Sequence, residues 1–161
     1  MSPRLSLLLC ICAVQLSLAD ARAEESADGP RFEVRAYSLA GGTVFRPGEI
    51  GFCYTHYDRM IVGGAVPVTS ELSLDTIKPA GTPELLARRE MIAVNIGGAG
   101  VVTVDGERFE TGTRDMVYAG MGSSVSFSSV SSEQPAKFYL LSAPAHTRHP
   151  ARHIGIGDAK R

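Results

Sequence analysis

Two adjacent arginines, Arg88 and Arg89, are the side chains of this sequence best suited to chemistry. They stand where PELLARRE meets the apolar run MIAVNI, and a guanidinium presents a planar fork of N–H donors to a carboxylate. A plainer account pairs one of them structurally and leaves the other in solvent. The second cluster is YTHYDR, from Tyr54 to Arg59. On a strand, His56 and Asp58 share one face, which is a ligand-like spacing. No third ligand is in view, so a histidine bonded to a strand neighbour or to solvent accounts for it equally simply.

Other motifs carry less. His146, His149 and His153 have ligand-like spacing only on a helix, and Pro144 and Pro150 argue against one. Gly97-Gly98-Ala99-Gly100 invites comparison with a phosphate loop, but it lies between two strands and lacks the following Gly-Lys-Ser/Thr. A tight turn that uses positive φ at Gly98 is the better expectation. Cys53 sits in the apolar IGFCY, where a buried inert thiol is expected. The serine-rich run 123–132 has no accompanying His/Asp arrangement.

The elements that must position these residues are short apolar runs broken by Gly, Pro and Ser. Strands are expected at 32–37, 50–57, 60–62, 66–69, 71–74, 91–96, 101–104, 108–110, 115–119, 125–127 and 137–142. Asp105-Gly106 between VVTV and RFE predicts a two-residue hairpin. Only 83–90 has a helical look, one or two turns at most. The pattern predicts an all-β domain, a sandwich, jelly roll or small barrel. GTRDMVYAGMGS, 112–123, follows the second cupin motif, with Tyr118 at its first proline and Ser123 near its metal-binding histidine. The partner motif, two histidines one residue apart, is absent. Glu84, Leu86 and Glu90-Met91 stand nearest those positions, and Leu86 binds no metal.

The chain has 161 residues. Arg4 followed by the 15-residue apolar run 5–19 and the small-residue pattern Ala21-Arg22-Ala23 reads as a signal peptide, 1–23, and hence as export to the periplasm or outside. The remaining organisation is a polar leader at 24–31, a domain at 32–143 and a basic tail at 144–161, either solvated or strapped over a neighbouring surface. Cleavage removes Arg4, Arg22 and Asp20, leaving 14 Lys and Arg against 16 Asp and Glu, a charge of −2. That balance gives no electrostatic case for nucleic acid. No later stretch reaches the ~18 apolar residues of a membrane span. With Cys10 and Cys12 gone, Cys53 alone can form no internal disulfide.

YTHYDRMIVGG, ARREMIAVNIGGAGVVTVDG, GTRDMVYAGMG and PAKFYLLSAPAHTRHP, in order and nearly gapless from Tyr54 to Pro150, resemble the 5-keto-4-deoxyuronate isomerase family. This family is also called 4-deoxy-L-threo-5-hexosulose-uronate ketol-isomerase. The resemblance implies a cupin-like jelly-roll β-sandwich, half of a bicupin, and an aldose–ketose isomerisation in the breakdown of pectin uronates. It implies zinc held by the second cupin half through a His-x-His, a Glu and a further His, so no zinc ligand maps onto this sequence and zinc is not expected on this chain alone. The substrate-binding candidates are then Arg88, Arg89, His56, Asp58 and Arg59, toward a small-molecule uronate. The expected partner is a second cupin half or a further copy of the chain. The alternative is a non-catalytic uronate-binding module or an inactive remnant. An export signal departs from the family's usual cytoplasmic setting.

Overall fold

Alternation of apolar and polar residues gives each strand one face for a core. The computed structural model describes residues 44–55 and 58–158. Among them ten strands form: β1 (Ile50–Tyr54), β2 (Ile61–Ala65), β3 (Leu72–Ser73), β4 (Arg89–Asn95), β5 (Gly100–Val104), β6 (Glu107–Thr111), β7 (Met116–Ala119), β8 (Val125–Ser129), β9 (Phe138–Pro144) and β10 (Arg152–Ile154). They build two antiparallel sheets, ordered β1-β2-β9-β4-β7-β10 and β3-β8-β5-β6. One core cluster draws side chains from both sheets, which therefore pack on each other. Successive strands thus cross between sheets and return beside earlier ones, as in a jelly roll. The fold is all-β, as the strand spacing predicts.

The core lies between the sheets. Phe127 and Phe138 stack at 5.2 Å between centroids, surrounded by Ile61, Leu85, Leu86, Met91, Leu140 and Val102. Burying each such side chain contributes about 1.5–3 kcal/mol. The Asp105-Gly106 hairpin forms as expected, joining β5 to β6 with both residues at positive φ, 51° and 86°.

Several boundaries differ from the sequence reading. The segment 83–90 is not helical. Separate turns close it through Ala87 N–H to Glu84 O and Arg89 N–H to Leu86 O, and they plunge Leu85 and Leu86 into the core. The expected strand at 66–69 is reduced to an isolated bridge from Val66 to Pro47, because Pro67 has no N–H for a ladder. Gly98 does not use positive φ. A Cβ there would strike the Gln134 carbonyl, so glycine is required by the close approach of that chain. Cys53 is half-buried rather than buried. The expected strand at 32–37 lies outside the described residues. Past Pro144 the chain straps back and adds β10 to the edge of β7, where Ile156 N–H donates to Asp115 Oδ1 at 2.8 Å.

Candidate functional site

The site begins with an inward-pointing arginine. Along β4 the residues Arg89, Met91, Ala93 and Asn95 face the core, so the alternation that buries Met91 also buries Arg89, which is 6 % exposed. Ser142 occupies the matching inward position on β9. Arg89 Nε donates to Ser142 Oγ at 3.1 Å, and Nη2 donates to the Ser142 carbonyl at 3.0 Å and to the Arg59 carbonyl. That last acceptor is set by the β1–β2 turn, where Asp58 and Arg59 both adopt positive φ, 50° and 53°. Such a conformation costs a non-glycine residue roughly 1–2 kcal/mol. Thr55 closes the turn, donating from its N–H and its hydroxyl to the Met60 carbonyl.

Every acceptor of Arg89 among the described residues is neutral. Among the described residues no carboxylate lies within ion-pair distance of it. Burial therefore holds the guanidinium below the ordinary arginine range, Tyr54 partly offsets this, and the positive charge of Arg59 adds to the lowering. The group stays protonated, because arginine starts so high. A buried charge without a counterion is costly and calls for an anion.

Arg89 lines a cavity of about 440 Å³ at one end of the sandwich, together with Arg88, Arg59, Tyr54, His146 and the loop Pro79–Thr82. Among the described residues its wall holds three arginines and no Asp or Glu. A second hollow of about 470 Å³ opens between β1 and β3 and carries Glu49, Glu71 and Asp75. Coulombic repulsion makes that hollow a poor place for an anion, and the arginine-walled one a good place.

Of the sequence-predicted residues, the fold brings together Arg88, Arg89 and Arg59. Asp58 is exposed in the turn and forms no part of the wall; His56 lies outside the described residues. Sequence reasoning held Tyr54 only within the segment 54–59, weighed His146 only as a metal ligand, and passed over Ser142. Ser142 had a legible signal, a polar residue at an inward step of the alternating Phe138, Leu140, Ser142. His146 belonged to a segment read as tail, and only the return of the chain past Pro144 brings it to the cavity.

Among the described residues the interior offers nothing comparable for a metal. Leu86 and Met91 are each 1 % exposed and Ser123 is 6 % exposed, and Gly122 N–H bonds the Leu86 carbonyl at 2.7 Å. Among the described residues no three His, Cys, Asp or Glu side chains converge to hold an ion. This donor set does not fit zinc.

The two-sheet jelly-roll topology defines the class as a cupin-like β-sandwich. Residues 49–161 match the KduI/IolB family, and the chain belongs to it. It is 62% identical over 120 residues to the 4-deoxy-L-threo-5-hexosulose-uronate ketol-isomerase 2 of Rhizobium meliloti, covering 74% of this chain and 43% of that protein. The ketol-isomerase of Cereibacter sphaeroides is 53% identical over 121 residues, with 74% and 42% covered. An IolB-like protein of Salmonella typhimurium aligns in structure at TM-score 0.47 and 17% identity, over 68% of this chain and 37% of that one. The chain spans less than half the length of the two curated relatives.

Proposed function

We propose that this domain is the uronate-holding portion of a 4-deoxy-L-threo-5-hexosulose-uronate ketol-isomerase, and that the substrate carboxylate sits in the cavity against Arg88 and Arg89. The observation that carries the reading is the Arg89 guanidinium, buried at the wall of a cavity where, among the described residues, no carboxylate meets it. Its Nη1 is engaged by no described residue, which leaves donors for an incoming carboxylate. Arg88, exposed beside it, supplies a second fork.

An aldose–ketose shift moves a proton between neighbouring carbons and needs a polarised carbonyl. We assign that step, and the family's zinc, to the part of the longer relatives outside the match; the residues here bind and orient. Residues 1–23 direct the domain out of the cytoplasm, so the exported product begins at Glu24. Its mass would reveal an intact Met1 if this is wrong.

The direct test is calorimetric titration with the 4-deoxy-5-keto uronate, with D-glucose as the uncharged control. The chain binds the uronate and not glucose. Arg89→Lys weakens binding about tenfold and Arg88→Lys about fivefold, since lysine keeps the charge but loses the fork. Equal affinity in all three proteins overturns the site. A turnover assay with added zinc separates holding from catalysis: isomerisation by the chain alone would show that it contains the catalytic half.

A further inference from the structure

Three guanidiniums line one cavity, and a uronate brings a single carboxylate to them. The chain as a whole is balanced, with 16 Lys and Arg against 17 Asp and Glu, so this clustering is not the background of a basic protein. The charges are sorted instead. Among the described residues the hollow between β1 and β3 is lined by Glu49, Glu71 and Asp75 and by no base, and the other cavity by Arg59, Arg88 and Arg89 and by no acid. The described ion pairs join Arg46 to Glu49, Arg148 to Asp105 and His153 to Asp115, and none of them takes an arginine of the cavity. All three charges are left for whatever enters the space of about 440 Å³.

Arg59 reaches that wall at a cost. Arg88 and Arg89 arrive together at the start of β4, whereas Arg59 comes from the β1–β2 turn. The described residues hold four non-glycine positions at positive φ, and only Asp58 and Arg59 are adjacent. Glycine or asparagine suits such a backbone better, so an arginine there is strain retained for its side chain. Arg89 Nη2 donates to the Arg59 carbonyl and fixes the strained turn. One buried cation thus positions a second one. A carboxylate held by Arg88 and Arg89 leaves Arg59 facing the far end of the ligand. A second anionic group on the same molecule meets it as an intramolecular contact, once the first is made. The cavity is large enough, since small-molecule sites occupy about 300–1,000 Å³.

We propose that the arginine-walled cavity prefers a sugar acid with two anionic groups, the first held by Arg88 and Arg89 and the second by Arg59. The proposal rests on the reading of this cavity as an acid-binding site. The 4-deoxy-5-keto uronate, with one carboxylate, fills only the first position, so a doubly charged acid of similar length displaces it. The second group is a carboxylate or a phosphate monoester, both of which accept a guanidinium fork.

Calorimetric titration at low ionic strength with three six-carbon acids tests it. D-galacturonate has one carboxylate, galactarate has two on the same carbon skeleton, and 6-phosphogluconate has a carboxylate and a phosphate. At least one of the two doubly charged acids binds at least about tenfold tighter than galacturonate, and that acid identifies the second group; added salt narrows the gap. Arg59→Gln reduces the ratio of affinities to about twofold or less, whereas Arg89→Lys weakens both kinds of acid and keeps the ratio. Arg59→Gly loses the ratio too while raising the thermal midpoint, because glycine suits the turn, which separates loss of the side chain from loss of the fold. Galacturonate bound as tightly as both doubly charged acids, or a ratio that survives the substitutions at Arg59, overturns the proposal and leaves the uronate site standing. Binding of none of the three acids overturns the cavity as an acid site, and this proposal with it.

Discussion

The two ends of β4 bury a polar side chain each, and they do so in opposite ways. At its C-terminal end Asn95 is fully buried and its amide is saturated. Nδ2 donates to the carbonyls of Gly98 at 2.8 Å and Thr111 at 3.2 Å, while Oδ1 accepts from Gly97 N–H at 3.0 Å and from Lys137 N–H at 3.4 Å. Four donors and acceptors from three other segments converge on one neutral amide, which pins the β4–β5 turn to the start of β9. At the N-terminal end Arg89 has acceptors for part of its fork but, among the described residues, nothing to neutralise its charge. A closed neutral network stabilises a fold; an open cationic one costs stability and is intelligible as a binding site.

The comparison can be broken from either end. The largest effect is expected at Asn95: Asn95→Leu takes away the partner of the buried Thr111 carbonyl and of the half-buried Gly97 N–H and Gly98 carbonyl and costs about 3 kcal/mol, since each orphaned group costs ~1–3 kcal/mol. Urea denaturation measures it, and a neutral result would remove the distinction between the two ends. Gly98→Val follows at about 1–3 kcal/mol, the cost of overpacking against the Gln134 carbonyl; an unchanged thermal midpoint would show that the neighbouring chain yields freely. At the other end Arg89→Met changes stability by less than ~1 kcal/mol, because an apolar side chain replaces an uncompensated buried charge, yet it lowers uronate affinity at least about tenfold. A loss of stability as large as that at Asn95 would make Arg89 a structural residue.

The smallest effect concerns the strap. N–H donors of Ile156 and then Gly112 hold the Asp115 carboxyl below the usual carboxylate range against a smaller opposing effect of burial, with His153 adding to the lowering at 3.6 Å. The folded value therefore lies below the unfolded one, about 3.9. The stabilisation is complete above that value and fades as pH falls through the folded value. Protection of the β10 amides against exchange, relative to the unstructured chain at the same pH, is expected to fall below about pH 4. Asp115→Asn is expected to loosen the strap at neutral pH and to blunt that acid response; β10 exchange in the variant that stays as slow and as acid-sensitive as in the native chain would show that another contact holds the strap.

Much of the fold was legible because strand formation here is governed by local pattern. The alternation of MIAVNI and KFYLLS set which residues face the core, and Asp105-Gly106 has few conformations open to it other than a primed turn. The failures also have local causes that the pattern hides. Helix-forming residues in ELLARR obey tertiary burial of Leu85 and Leu86 instead of propensity. Gly98 looks like a turn glycine but answers to a chain segment 36 positions away.

The sequence by itself determined the all-β class, the resemblance to the ketol-isomerase family and the pairing of Arg88 with Arg89, since each rests on neighbours along the chain. Only the tertiary structure decided that Arg89 is buried with no acid beside it among the described residues, that Arg59 and His146 join it from the β1–β2 turn and the returning strap, and that 152–154 is a strand. Those facts depend on segments 30 to 60 residues apart meeting in space, and nothing local to either segment carries the information about the other.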